Sequence, residues 1–292
     1  MSWRIVSVAS RSKLDYKMGY LVVRSKESTV RIHLSEISIL MLESTAISLT
    51  AYLLRELERQ KIDVVFCDET RTPYATLSSL YGSHNTALCY REQAAWSEGT
   101  TNLVWAEIVK QKIRGQRTVL PPEKAAERAL LESYLAQVQP GDSTNREGHA
   151  AKVYFNALFG MDFTREKETP VNAALNYGYA LLLSAQAREI TACGYCTQLG
   201  VFHTNRFNRL NLASDLMEPF RPFIDVRVRD LSPASFGHEE KLALIAVLNR
   251  QVAIDGKQQF LLTALRIYTR SVLHALSSGD LSGIVFPTFD GL

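Results

Sequence analysis

Three side chains in one short stretch could together hold a divalent metal ion. His203 precedes a predicted helix that carries Asp215 and Glu218, and acids three residues apart share one face of a helix. Mg²⁺ and Mn²⁺ favour carboxylate oxygens, and Mn²⁺ also accepts imidazole nitrogen. Cationic side chains suited to a phosphate substrate lie nearby, namely Arg206, Arg209 and Arg221. The stretch is therefore either a metal-dependent phosphodiester site or a polar, solvated helix.

A further acid upstream, Glu147, also has two interpretations. Thr144 and Glu147 have the spacing of a capping box, in which the acid accepts a free backbone N–H at the helix start. Taken singly, Glu147 is therefore better explained as a cap, and His203 as a packed, hydrogen-bonded residue. Taken together, acids on two helices and a histidine from another segment would form a facial set around one metal. Such a set leaves coordination positions for water and a phosphate oxygen.

Two of the four cysteines form a Cys-Gly-Tyr-Cys motif, Cys193 to Cys196. A thiol redox motif should open a helix directly after a buried strand, whereas this motif follows a long predicted helix over 171–192. The chain also lacks a second such pair for a four-thiolate zinc site. Redox chemistry is therefore a remote alternative, and structural or incidental cysteines are favoured.

Length and composition indicate a globular protein of two domains. The chain has 292 residues, of which 46% are hydrophobic, and a net charge of +3, which permits nucleic-acid binding without requiring it. The amino terminus lacks the apolar run of a signal peptide, and no stretch approaches the ~20 apolar residues of a membrane span. We therefore expect a cytoplasmic protein with no membrane partner.

The order of predicted elements indicates the α+β class, with a small amino-terminal β-domain, 1–82, followed by a larger all-α domain, 83–292. Ser48 is the predicted cap of a helix in the first domain. Runs rich in Val, Ile and Leu predict strands over 6–8, 21–23, 30–34, 37–42, 64–67 and 75–80. Helical periodicity and start signals predict helices over 85–96, 101–114, 122–137, 145–159, 171–192, 211–220, 239–249 and 260–275.

Four motifs in order, NREGHAAKVYFNALFG, LNYGYALL, GVFH and DLMEPFRP, resemble the integrase endonuclease of CRISPR adaptation, the first CRISPR-associated protein. The resemblance is to the compact form found beside single-effector (type II) systems. It extends over most of the chain and includes the amino-terminal MSWRIVSV and the strand ending VVFCDE. Several spaced motifs in one order are much more specific than any one of them.

The resemblance implies that Glu147, His203 and Glu218 are the catalytic residues and hold Mg²⁺ or Mn²⁺, with Asp215 as a supporting or alternative ligand. The implied reaction is the attack of the 3′-hydroxyl of a short DNA fragment on a phosphodiester of the CRISPR array. Residues 1–82 would serve dimerisation, and residues 83–292 catalysis and DNA binding. The predicted DNA-binding side chains are Arg146, Lys152, Arg206, Arg209 and Arg221, with weaker contacts from Arg227, Arg229 and Tyr154, the last of which is equally explained by core packing.

The implied partners are a second copy of the chain, a dimer of the small second CRISPR-associated protein that bridges two such dimers, double-stranded DNA fragments and array DNA. The type II effector nuclease and a ring-forming accessory protein are further candidates. Two alternatives for the activity stay open. One is a metal-dependent nuclease that cleaves branched or single-stranded DNA without joining it, and the other is a non-catalytic DNA-binding scaffold.

Overall fold

The structure is a computed structural model that describes residues 4–69, 71, 73–77 and 85–290. The chain divides into two compact units, Met1–Gly82 and Ser83–Leu292. The first unit is rich in strands and the second is mainly helical, so the predicted α+β class is confirmed. None of the described helices is long and apolar enough to cross a membrane.

One sheet of the first unit has three parallel strands and an antiparallel edge strand. In spatial order its strands are β1 (Arg4–Val8), β5 (Ile37–Leu42), β7 (Asp63–Cys67) and β8 (Pro73–Thr76). All six residues of β5 are buried, which is typical of a central parallel strand covered on both faces. Residues 78–80 of the last predicted strand lie outside the described residues.

The other sheet is built around a meander of β2 (Lys13–Lys17), β3 (Tyr20–Arg24) and β4 (Thr29–His33), with the short β6 (Ser48–Leu49) beside β2. Met18 and Gly19, both at positive φ, make the two-residue turn between β2 and β3. The predicted cap Ser48 is wrong, because Ser48 lies in β6. Thr50 caps helix α1 (Ala51–Arg59) instead, accepting the N–H of Leu53.

The second unit contains every helix predicted after residue 85. Ser97 and Thr169 accept backbone N–H groups at two of the helix starts, as their side chains favour. The helices are α2 (Thr86–Ala94), α3 (Glu98–Val119), α4 (Ala125–Ala136), α5 (Arg146–Phe159), α6 (Pro170–Ala192), α7 (Asn211–Leu216), α8 (Arg221–Leu231), α9 (His238–Ile245) and α10 (Leu261–Ser278).

Two features depart from the prediction of an all-α second domain. Gln251–Ile254 and Lys257–Phe260 form an antiparallel hairpin, β9 and β10, around Asp255 and Gly256, which are both at positive φ. The predicted helix over 211–220 ends at Leu216 and passes through a 3₁₀ turn, Glu218–Phe220, into α8. Pro222 is accepted in the first turn of α8 because no intrahelical N–H is needed there.

Helix α3 is the central element of the second unit. It packs against α4, α5, α8, α10 and the 3₁₀ turn Glu218–Phe220, and its apolar stripe includes the buried Val104 and Ile108. The segment after α10 also packs on it, since Gln111 Nε2 donates to the carbonyl of Pro287 at 2.6 Å. The face of α3 that meets α5 and the 3₁₀ turn carries the residues described next.

Candidate active site

Two of the three predicted ligands converge on one buried cation. Lys112, on α3, forms ion pairs with Glu147 at the start of α5 and with Glu218 in the 3₁₀ turn. The Lys112 Nζ to Glu218 Oε2 distance is 2.5 Å. The Lys112 side chain is only 8% exposed, and buried lysines are rare unless they are paired. The packing of α3 against α5 and the turn therefore brings together carboxylates that are 71 residues apart in the sequence.

Glu147 can face this cation because other side chains cap its helix. The carboxylate of Asp142 accepts the N–H groups of Arg146 and Glu147 at 2.8 and 2.9 Å, and Asn145 Oδ1 accepts that of Gly148 at 3.2 Å. These bonds satisfy N–H groups that the first helical turn leaves free. The alternative explanation of Glu147 as a helix cap is therefore wrong, because Asn145 is the N-cap residue and Glu147 pairs with Lys112.

Glu218 is nearly buried and lies between two cationic groups. Its residue is 4% exposed, and its second partner is Arg221, whose Nε lies 2.9 Å from Glu218 Oε1. The guanidinium of Arg221 also lies 4.5 Å from the ring centroid of Tyr179. A buried carboxylate needs such partners because desolvation disfavours its charge.

Asp215 faces the loop that carries His203, and the two acids of the DLME motif therefore have different partners. Asp215 is fully buried. Its carboxylate accepts the backbone N–H groups of Val201, Phe202 and His203 at 2.6, 2.9 and 3.2 Å, and it also bonds His203 Nδ1. Gly200 allows the close approach, because a Cβ there would lie 2.7 Å from Asp215 Oδ2.

Aromatic packing supports the same loop. Phe202 stacks on Trp105 of α3, with ring centroids 4.5 Å apart and an interplanar angle of 4°. The His203 ring meets Trp105 edge-on, at 6.1 Å. Because Asp215 fixes Nδ1, the Nε2 of His203 is the nitrogen left to bind a ligand. The His203 side chain is 43% exposed and borders a cavity of about 580 Å³ that Arg206 and Arg209 also line.

The charges at this site influence one another. The ammonium of Lys112 lowers the pKa of Glu147. Burial acts to lower the pKa of Lys112, but Glu218 and Glu147 outweigh it and the pKa is raised. The hydrogen bond to Asp215 raises the pKa of His203. The carboxylates of Glu147, Asp215 and Glu218, the cations Lys112 and Arg221, and the imidazole of His203 thus form one electrostatic unit.

The donor set fits a hard divalent cation. Glu147 and Glu218 already direct their carboxylates at one cationic position, and His203 has the carboxylate support common for a metal-binding imidazole. Within the described part of the chain, no three His, Cys, Asp or Glu side chains form a ready-made metal cluster.

Most of the predicted DNA-binding cations lie around this site. Arg146 begins α5 next to Glu147, and Arg206 and Arg209 are exposed on the His203 loop. Arg206 lies 4.7 Å from the ring centroid of Phe207, whose side chain is 79% exposed. Lys152 is exposed on α5, and the residues Arg221 and Arg227 of α8 are partly buried. These positions stay predictions for contact with DNA.

Tyr154 and Arg229 have other roles in the fold. Tyr154 is fully buried, and its O–H donates to Asp225 at 3.1 Å, so the core-packing alternative is correct and the predicted DNA contact is wrong. Tyr179 also donates to Asp225, and burial raises the pKa of Asp225 to about 6. Arg229 donates to the carbonyl of Val119 at 2.7 Å at the end of α3 and pairs with Asp230, and its contact with DNA stays a prediction.

The cysteines show no feature of a redox site. Cys67, Cys89, Cys193 and Cys196 form no disulfide bond. Burial raises the pKa of Cys89 and of Cys193, which lowers the thiolate fraction that a redox or metal site needs. The Cys-Gly-Tyr-Cys motif follows α6 and is therefore structural.

Lys112 and Asp142 are the residues that the sequence interpretation missed. Lys112 follows Val104 and Ile108 at intervals of four, so it stands in the apolar stripe of a predicted helix. A charge in that stripe is the signal of a buried ion pair and could have identified it. The sequence gives a weaker indication for Asp142. Its carboxylate can cap α5 only because the chain bends at Gly141 (φ 67°) and Asp142 (φ 46°).

Comparison with known proteins agrees with the fold and the motifs. The model of the family described as "CRISPR associated protein Cas1" matches residues 6–233. The chain is 33% identical, over 91% of its length and 89% of the relative's, to the CRISPR-associated endonuclease Cas1 of Neisseria meningitidis serogroup C (strain 8013).

Two solved structures are similar in fold. A casposase bound to integration product has a TM-score of 0.76 and 18% identity, with 96% of this chain and 92% of that chain covered. A chain of a Cas6-RT-Cas1–Cas2 complex has a TM-score of 0.76 and 19% identity, with 99% of this chain but only 36% of that chain covered.

Proposed function

Because the chain belongs to the Cas1 family, we propose that it is a metal-dependent DNA integrase and endonuclease of CRISPR adaptation. In this function it joins the 3′-hydroxyl ends of short DNA fragments into the CRISPR repeat array. The name of the Neisseria relative, CRISPR-associated endonuclease, supports cleavage of phosphodiesters. The similarity in fold to a casposase bound to its integration product is compatible with joining as well.

The observation that carries the proposal is the convergence of Glu147 and Glu218 on one cationic position beside a carboxylate-supported His203. These three side chains would hold Mg²⁺ or Mn²⁺, and Asp215 would orient His203. When bound, the metal supplies Lewis-acid stabilisation of the negative charge that develops on the phosphate. This role of Asp215 follows from its four hydrogen bonds within the loop, which leave Glu218 as the acid of the DLME motif that faces the metal position.

The proposed reaction exchanges one phosphodiester for another. The 3′-oxygen of the incoming fragment forms a bond to phosphorus, the bond from phosphorus to the 3′-oxygen of the array strand breaks, and the leaving oxygen takes up a proton. Arg221 balances the charge of Glu218, and contact of its guanidinium with a phosphate is part of the proposal. Hydrolysis follows the same course with water in place of the 3′-hydroxyl, so nuclease activity belongs to the same site.

DNA binding is proposed for the surface around the His203 loop and the start of α5. Arg206 and Arg209 are exposed on the loop, and Arg146, Lys152 and Arg227 lie on the neighbouring helices. Cations of this kind contact phosphates without reading sequence. Binding should therefore weaken steeply as salt increases.

The proposed assembly follows from the family. We infer a homodimer through residues 1–82, where the exposed Tyr20, Val30 and Tyr74 offer apolar contact area, and a bridging dimer of Cas2. The similarity to a chain of a complex that contains Cas2 supports this partner. A type II effector nuclease and a ring-forming accessory protein are further proposed partners, and the DNA substrates place the protein in the cytoplasm.

The test is a strand-transfer assay with a fluorescent DNA fragment, repeat-containing array DNA and the Cas2 partner, in Mg²⁺ or Mn²⁺. We expect Glu147→Gln, His203→Ala and Glu218→Gln each to reduce joining by about 100-fold or more. Glu132→Gln is the matched control, because this side chain is 55% exposed and pairs with Arg117.

Three outcomes would count against parts of the proposal. If the His203 and Glu218 variants join DNA as well as wild type does, the assignment of the active site is wrong. Undiminished activity in EDTA would remove the metal requirement. If the protein cleaves DNA but forms no joined product in the presence of Cas2, it is a nuclease and the integrase function is excluded.

A further inference from the structure

Lys112 stands where the two proposed metal-binding carboxylates meet. Its ammonium pairs with both Glu147 and Glu218. A divalent cation bound by the same two carboxylates would compete with the ammonium for the same oxygens, and two cations at such short range repel one another.

We propose that Lys112 is a positioning residue that holds the carboxylates of Glu147 and Glu218 together before the metal binds, and that the metal displaces its ammonium from them. The inference rests on the proposed metal-dependent function. It goes further because it assigns the ammonium of Lys112 as the counter-ion of the two carboxylates in the metal-free protein. Competition with this counter-ion sets the affinity for the metal.

The counter-ion has a physical purpose in the metal-free protein. Glu218 is only 4% exposed, and two carboxylates facing one another without a cation would repel and push the start of α5 away from the 3₁₀ turn. Arg221 pairs with the other oxygen of Glu218, so Lys112 is the group that connects the two acids. It therefore keeps the site assembled at a distance the metal can use.

The side-chain type suits displacement. A lysine carries a compact charge on a flexible stem with four carbons, whereas an arginine binds a carboxylate through a rigid fork. The ammonium can therefore move by rotation of its own stem while α3 stays in place. Helix α3 is fixed independently next to this position, because Gln111 donates to the carbonyl of Pro287.

The experiment measures metal binding without DNA, so that it does not depend on activity. Mn²⁺ is titrated calorimetrically into wild type, Lys112→Met and Lys110→Met, and thermal unfolding is recorded in EDTA and in Mn²⁺. Lys110 is the matched control, because it lies on the same helix and pairs with Glu107 at 2.7 Å. We expect Lys112→Met to bind Mn²⁺ about tenfold more tightly or better, to unfold at a lower temperature in EDTA, and to recover in Mn²⁺.

Equal or weaker Mn²⁺ binding by a folded Lys112→Met would overturn the proposal. If this variant does not fold in EDTA, folding restored by Mn²⁺ supports the proposal, and Lys112→Gln, which keeps a polar side chain, is titrated in its place. Failure of both variants to fold even in Mn²⁺ would overturn it.

The proposed function is tested separately. If joining requires Glu147 and Glu218 while Lys112→Met binds Mn²⁺ with unchanged affinity, that result contradicts only the role proposed for Lys112. The absence of any Mn²⁺ binding by wild type would remove both proposals.

Discussion

The substitution Asp215→Asn separates a residue that supports the site from one that binds the metal directly. Asp215 Oδ2 accepts two backbone N–H groups, those of Val201 and Phe202, while Oδ1 takes the N–H and the Nδ1 of His203. The asparagine side chain keeps only one of the two oxygens. Its NH₂ group takes the place of the other oxygen and faces the two donors whose hydrogen bonds this oxygen had accepted. Two charge-assisted hydrogen bonds are then lost, at about 1.5–3 kcal/mol each. The side chain is fully buried, so water does not replace them.

We therefore expect the free energy of unfolding of Asp215→Asn to fall by about 3–6 kcal/mol, a large part of the ~5–15 kcal/mol typical of a domain. Urea unfolding in EDTA, followed by circular dichroism, measures it. His203→Ala is the comparison, and because it removes only one of these hydrogen bonds, that of Nδ1, it should cost less, about 1.5–3 kcal/mol. Mn²⁺ affinity should fall about 10- to 100-fold in Asp215→Asn, as for other residues that orient a ligand.

The opposite pattern would refute this reasoning. If Asp215→Asn unfolds within 1 kcal/mol of wild type and loses Mn²⁺ binding as completely as Glu218→Gln, Asp215 is a direct ligand. The loop from Val201 to His203 would then have to be held by other contacts.

Four further results are expected. Arg206→Ala should weaken DNA binding and reduce the slope of log affinity against log salt by about one, measured by fluorescence anisotropy. Tyr154→Phe should lower the free energy of unfolding by about 1–3 kcal/mol with unchanged DNA affinity, because the ring is buried. Burial raises the pKa of Asp225 from 3.8 to about 6, so folding favours the protonated acid, and its stabilising contribution is lost as the pH rises through about 4 to 6. The stability difference between wild type and Asp225→Asn should therefore move by up to about 3 kcal/mol in favour of Asn across that window, and a constant difference would contradict the assigned pKa. Replacement of both Cys193 and Cys196 by Ser should leave strand transfer unchanged, and its loss would reopen the redox alternative.

The sequence was sufficient for the fold class because its periodicity is local. The alternation of buried and exposed residues in β1 and the apolar stripe of α6 depend on neighbours a few residues away, and start signals such as Thr169 and Pro170 reinforce them. The β9–β10 hairpin was also predictable, because Asp255 and Gly256 form the Asp-Gly pair that is typical of a two-residue hairpin turn. It was missed because its strands have only four residues each.

The partners within the site depend on distant contacts and could not be obtained in the same way. Thr144 and Glu147 have the spacing of a capping box, yet the left-handed backbone at Gly141 and Asp142 lets the Asp142 carboxylate accept the N–H of Glu147, which a capping box would pair with the Thr144 hydroxyl. Asp215 and Glu218 are three apart, but the helix ends at Leu216 and directs them to different partners. Spacing identifies residue types for a metal site, whereas the assignment of each carboxylate requires the packing of α3 against its neighbours.

The proposed metal site depends on the segment that follows α10, although this segment lies outside the site. Phe289 packs on Phe223 with ring centroids 5.3 Å apart, and a Cβ at Gly115 would lie 2.5 Å from the Phe289 ring, so the aromatic ring fits directly against the α3 backbone. Gln111, bonded to Pro287, directly precedes Lys112. We therefore expect Mn²⁺ binding at Glu147 and Glu218 to slow proteolysis of residues 284–290, because coupling between two positions is reciprocal. Equal rates of proteolysis with and without Mn²⁺ would contradict this coupling.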